Sequence, residues 1–144
     1  MERMWNMEIE ILQKLGQHLP VTVLQLSGKL DGSNYLQLVN KAKEIYQNGV
    51  RDLLIDMSRL SYLSSAGLSA IHKTALIFRG LPISENETGW GDFHAIDRDR
   101  SNGVQKHVKL LSPQPDVANT LDITGFKSLF EIHTDLDAAL ASFE

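Results

Sequence analysis

A chain of 144 residues has room for one hydrophobic core and none for a second domain. Hydrophobic residues at 42% and charged residues at 22% are ordinary for a globular domain and exclude a disordered, fibrous or coiled-coil chain. A net charge of -4 with scattered lysines and arginines argues against a nucleic-acid ligand, and the lack of cysteine excludes disulfides, thiolate metal sites and a cysteine nucleophile.

Along the chain, Glu8-Ile9-Glu10-Ile11 alternates polar and apolar residues like a half-buried strand, and Val21–Leu26 repeats that period before Gly28. The two are expected to form a hairpin joined around Gly16 to Pro20. From Ser33 the period changes to three or four. Tyr35, Leu38, Val39, Ala42, Ile45 and Tyr46 predict an amphipathic helix with Asp31 or Ser33 as its cap and Gly49 as its terminator.

Leu53-Leu54-Ile55, between Arg51-Asp52 and Asp56, has the continuous apolar character of a buried central strand. Ser64-Ser65-Ala66-Gly67 then leads into Leu68, Ile71, Ala75 and Phe78 at helical spacing, and Gly80 with Pro82 ends that helix. From Ile83 to about Gln105 no apolar period survives, so an exposed loop insertion is expected there. Order resumes with a strand at His107–Leu111. A helix opened by Pro113 and Pro115 follows, then a short edge strand at Phe130–Ile132, and a last helix beginning at Asp135.

Few residues point to chemistry. The five histidines show no metal-ligand spacing, and no Ser-His-Asp pattern or Gly-x-Ser-x-Gly elbow is present. Asp97–Gly103 resembles a calcium loop only in part, because its glycine falls one position late and Val108 stands where the closing Glu belongs. Neither a catalytic residue nor a cofactor or metal is therefore expected. No apolar run approaches the ~20 residues of a membrane-spanning helix. Met1–Glu8 also lacks the apolar stretch of a signal peptide, so the expected location is cytoplasmic, away from any membrane.

The informative position is Ser65. It stands where the first free N–H groups of a helix point outward, at the positive end of the macrodipole. A phosphoserine brings about -1.5 to -2 charge, and this end of a helix favours anions. Modification there is expected to change the surface potential without melting the fold. Ser64 or Ser65 can equally serve as the helix cap, worth about 1 kcal/mol.

The string Ile55-Asp56-Met57-Ser58-Arg59-Leu60-Ser61-Tyr62-Leu63-Ser64-Ser65-Ala66-Gly67-Leu68 resembles the signature of STAS-domain anti-sigma factor antagonists. Two further segments agree in order. Leu26–Asp31 resembles the family's strand ending in a Gly-x-Leu-Asp turn. Leu110–Pro113, with Val117, Leu121, Thr124-Gly125-Phe126 and Leu129-Phe130, resembles its closing segment.

The resemblance implies a single α/β domain over residues 1–144, with the insertion at about 83–105. Its mixed sheet would have about four to five strands, with helices packed largely on one face. It also implies a phosphoacceptor, which by position is Ser65, with Ser64 as the adjacent alternative. The partners implied are an anti-sigma factor serine kinase and a metal-dependent serine/threonine phosphatase. In the family the unphosphorylated form sequesters the anti-sigma factor, and the phosphatase regenerates it. Asp31, Ser64, Ser65, Ala66 and Gly67 would form the partner-binding patch, Asp31 being readable also as a turn residue or helix cap. Many relatives carry Asp before the phosphoacceptor, where this chain has Ser64. The alternative function is a STAS scaffold subunit of a larger regulatory or transporter complex, without phosphorylation.

Overall fold

A computed structural model describes residues 7–16, 19–83 and 90–143. Five strands form one sheet in the order β1-β2-β3-β4-β5: Glu8–Leu15, Pro20–Leu30, Leu53–Leu63, Val108–Leu111 and Ile132–His133. β1 and β2 pair antiparallel from Glu8↔Ser27 to Leu15↔Pro20, as their shared alternation predicts. The pairs β2·β3, β3·β4 and β4·β5 are parallel, so the C-terminal ends of β2, β3 and β4 share one end of the molecule. The helices are α1 (Tyr35–Gln47), α2 (Ser65–Phe78), α3 (Trp90–Asp99), α4 (Pro115–Ile123) and α5 (Leu136–Ala141).

The pleat assigns the two faces of the sheet. Leu24, Leu26, Leu53, Ile55, Val108 and Leu110 face the main core, where they meet Leu38, Val39 and Ala42 of α1, Leu68, Ile71 and Ala75 of α2, and Val117 and Leu121 of α4. The alternate residues Val21, Val23, Leu54 and Leu111 face the other way, onto Ala139, Leu140 and Phe143. Helices therefore lie largely on one face, and among the described residues the short α5 with its C-terminal flank covers the second. Asp135 caps α5 by accepting from the Ala138 N–H at 2.9 Å. Nearly every described residue of α2 is buried, which fits a helix wedged between α1, the sheet and α3. No helix among the described residues is long and apolar enough to cross a membrane.

Two expectations change. The strand read at Leu53–Ile55 runs on to Leu63. Between Gln25 and Ser27, and again between Gly28 and Lys29, β3 carries one residue more than β2. Each bulge shifts the side-chain phase. Met57, Leu60 and Leu63 are therefore buried at every third position, and no alternation remains to be read.

The exposed loop expected at about 83–105 is in large part a helix. Residues 84–89 lie outside the described residues, but α3 and a 3-10 turn at Arg100–Asn102 occupy 90–102. Among the described side chains Ile96, 2% exposed, packs in the core, and Asp99 is a polar anchor. Asp99 accepts from both sides: His72 Nε2 lies at 2.9 Å, Arg79 Nη1 at 2.8 and 2.9 Å, Asn102 Nδ2 at 3.0 Å and Gln105 Nε2 at 3.2 Å. Burial pushes this carboxyl up. Hydrogen bonds from Asn102, His72 and Arg79, with the Arg79 charge, outweigh burial and hold it below the ordinary range. The next residue, Arg100, donates to the Thr124 and Gly125 carbonyls just beyond α4, at 2.9 and 3.0 Å. In sequence α3 carries Trp90, Phe93 and Ile96 at a spacing of three, a short period that the surrounding Gly, Asp and Arg residues obscure.

Candidate functional site at the start of α2

The parallel register brings Leu30, the last residue of β2, beside Leu63, the last of β3. One residue later the Ser64 N–H donates to the Leu30 carbonyl at 3.0 Å. The turn after β2, which begins at Asp31, and the start of α2, at Ser65, therefore emerge side by side at the carboxyl end of the sheet. Crevices at such ends are where open α/β sheets commonly place their sites.

Both turns are internally tied. Asp31 Oδ1 accepts from the Ser33 hydroxyl at 2.6 Å and from the Ser33 N–H at 2.9 Å. Those two bonds hold the Asp31 carboxyl below its ordinary range. Asn34 completes the turn: its Oδ1 accepts from the Asp31 N–H at 3.0 Å, and its amide donates to the Lys29 carbonyl at 2.8 Å. Neither Asp31 nor Ser33 caps α1, contrary to the sequence reading. The N-cap is Asn34, whose side chain makes no capping bond because it is committed to the turn behind it.

At α2 the two serines divide the work. Ser64 is the N-cap in extended backbone, and its hydroxyl accepts from the Gly67 N–H at 3.2 Å. Ser65 is the first residue of the helix and is exposed. Ala66 is half-buried. Gly67 is buried, and a Cβ on it would lie 2.7 Å from Leu63 Cδ1 and 2.8 Å from the Leu30 carbonyl oxygen. Gly67 thus acts on the position of the turn, letting α2 start directly against the end of β2, and offers no surface of its own.

The same end presents groups that the sequence pattern did not single out. Tyr62 pairs with Lys29 across the bulged strands and is 50% exposed, while Leu36 in the first turn of α1 is 38% exposed. Arg59 and Ser61 are exposed beside them. Gln114, at the start of α4, donates to the Ser58 carbonyl at 2.8 Å, serving the edge of β3 where β4 has ended. The signal for Tyr62 lay in the bulges, which turn two successive residues outward. Among the described residues no group of three or more His, Asp or Glu gathers as a metal site.

A bulged parallel strand thus delivers a serine-capped helix, in a sheet opened by an antiparallel hairpin. Residues 14–81 match the family described as Mlab, STAS domain. BtrV of Bordetella bronchiseptica, which bears the name of an anti-sigma factor antagonist, is 27% identical over 119 residues, 83% of each chain. An anti-sigma factor antagonist from Mycobacterium paratuberculosis shares the fold with a TM-score of 0.62, at 22% identity over 94% of each chain. SpoIIAA shares it both unphosphorylated, with a TM-score of 0.55 at 19% identity over 93% of each chain, and in the phosphorylated form from Bacillus. The latter gives a TM-score of 0.52 at 16% identity over 92% of this chain and 96% of that one. Residues 14–81 thus carry the STAS-domain likeness, the chain is similar in sequence to a protein named as an anti-sigma factor antagonist, and it shares the fold of the solved structures.

Proposed function

We propose that this protein is an anti-sigma factor antagonist whose partner choice is switched by phosphorylation of Ser65. Unphosphorylated, it docks an anti-sigma factor serine kinase through the surface formed by Asp31, Ser64, Ser65 and Ala66, with Tyr62 and Leu36 at its margin. The kinase transfers a phosphoryl group from a nucleoside triphosphate to Ser65 Oγ, the hydroxyl proton leaves, and the complex separates. A metal-dependent serine/threonine phosphatase hydrolyses the ester and restores the docking form. The protein itself catalyses nothing in this cycle, and it works in the cytoplasm.

The observation that carries the reading is the division between the two serines. Ser64 Oγ is held as the cap of α2, whereas Ser65 is exposed at the first helical position. Of the two hydroxyls, that of Ser65 is the one a kinase can reach without first displacing a capping bond. The new charge then sits at the positive end of a 14-residue helix, which supports it in place. It also stands beside Asp31, whose depressed pKa keeps it anionic, so the local potential turns strongly negative. A partner surface matched to one acidic group then meets two.

The test is incubation with the cognate anti-sigma kinase and a nucleoside triphosphate, followed by fragment mass spectrometry, together with binding of Ser65→Ala and Ser65→Asp. The expected outcome is phosphate on Ser65, persistent binding of Ser65→Ala and at least about tenfold weaker binding of Ser65→Asp, a difference of 1.4 kcal/mol. Equal affinity of the two variants would remove the switch. Phosphate found only on Ser64 would move the acceptor by one residue.

A further inference from the structure

The two edges of the sheet are built differently. β5 ends it with two residues, too short to recruit another strand. β1 ends it with eight, and no described strand pairs with its outer side. Along that strand Ile11 is 43% exposed, Leu12 44% and Leu15 76%. A long edge with apolar residues on both faces is the kind that folded proteins ordinarily cover.

From this edge we infer that β1 pairs antiparallel with β1 of a second copy of this chain, in the register centred on Leu12. The charge pattern of the strand selects the occupant. A two-fold axis normal to the sheet keeps each face with itself, so residues of like parity must oppose one another and the axis passes through a residue. The same parity aligns the outward-pointing N–H and C=O rows of both strands. Centring on Ile11 would set Glu8 against Lys14 but also Glu10 against Leu12 twice, a charge facing an apolar side chain. Centring on Leu12 sets Glu10 against Lys14 twice, once on each side of a Leu12–Leu12 contact, and on the other face sets Ile9 against Leu15. Opposite charges and apolar pairs directly across an antiparallel ladder each favour pairing. A strand whose acidic and basic ends complement each other when reversed is complementary to its own copy. Pairing would join the two sheets into one of ten strands. The Ser65 sites would remain open, because each lies beyond β3, two strands away from the joint.

The experiment is sedimentation equilibrium over a wide concentration range on wild type, Glu10→Lys and Lys14→Glu. Both residues are exposed, so unchanged thermal midpoints and circular dichroism would establish that each variant folds. Wild type is expected to dimerise, and each reversal to weaken the dimer about tenfold or more, since it sets like charges opposite each other at two symmetric positions. Mixing the two variants in equal amounts is expected to restore the dimer, the two lysines of one strand then facing the two glutamates of the other. A wild type that remains monomeric at millimolar concentration overturns the inference, as does a dimer that both reversals leave intact.

Discussion

The two ends of α2 handle polar groups in opposite ways. At its start, Ser64 satisfies the Gly67 N–H with one local bond and Ser65 is left to solvent. At its far half, His72 and the capping residue Arg79 converge on Asp99, which is 5% exposed and also accepts from Asn102 and Gln105. One end is open, held by the Ser64 cap and by the Ser64 N–H bond to the Leu30 carbonyl. The other is sealed and ties α2 to α3 and the segment before β4. The difference teaches how a small domain can carry a modifiable group: the exposed Ser65 hydroxyl sits beside, and not within, the bonds that hold its end of the helix.

The comparison breaks most visibly at Asp99. Asp99→Ala is expected to cost about 3 kcal/mol, because it leaves buried donors without their common acceptor. This corresponds to a fall in thermal midpoint of about 10 °C for a chain of this size. Its folded-state pKa is depressed, so the unfolded chain binds the extra proton in acid. The contribution is present above roughly pH 5 and is lost as the pH falls toward the lower folded-state value. Chemical denaturation of wild type and Asp99→Asn at pH 7 and in acid would check the sign: the gap between them should narrow as the pH falls. If α2 is divided as described, Asp99→Asn should also leave partner docking at Ser65 unchanged at a temperature where the variant is folded.

Gly67→Ala is next in size. Its methyl would meet the Leu30 carbonyl oxygen at 2.8 Å, and backbone cannot step aside as a flexible side chain can. A cost of about 2 kcal/mol is expected, with the start of α2 pushed away from β2. Urea titration gives the energy. Amide exchange at Ser64 and Gly67 shows whether the turn has opened, and unaltered exchange there would disprove the close-packing role. Ser64→Ala follows at about 1 kcal/mol, the usual value of a lost N-cap, and Ser64→Asp should restore most of it because Asp is an equally good cap.

Much of this arrangement is legible in the sequence, and the rest is not for identifiable reasons. The hairpin of β1 and β2 follows from alternation and α1 from Leu38, Val39, Ala42 and Ile45, whereas the edge strand expected at Phe130–Ile132 lies at Ile132–His133, Phe130 being buried ahead of it. The second half of β3 is hidden because two bulges replace the period of two by a spacing of three at Met57, Leu60 and Leu63. α3 is obscured because its apolar spacing is short, Trp90, Phe93 and Ile96 among Gly, Asp and Arg, and because Asp99 joins it to His72 and Arg79 across 20 to 27 residues, which no local pattern records. The start of α2 is visible as a serine turn, but two adjacent hydroxyls are equally able to reach the Gly67 N–H on paper. Only the backbone decides, by leaving Ser64 extended and Ser65 helical. Asp31 and Ser33 were read as caps for a related reason: their bonds run to each other, inside the turn, rather than forward into α1.

The smallest expected effect is the one that most sharpens the contrast. Ser65→Asp adds a charge at the first position of α2, where the exposed N–H groups favour an anion by about 0.3 to 1 kcal/mol at low salt. Asp31 lies in the adjoining turn and opposes it, and exposed charges of like sign separated by water repel weakly. The thermal midpoint is therefore expected to stay within about 2 °C of wild type, with near-ultraviolet circular dichroism unchanged. Stoichiometric phosphorylation of Ser65 should behave the same way. If either modification instead lowered stability by as much as the loss of the Ser64 cap, the two ends of α2 would not be independent, and phosphate would act by loosening the helix rather than by recharging its surface.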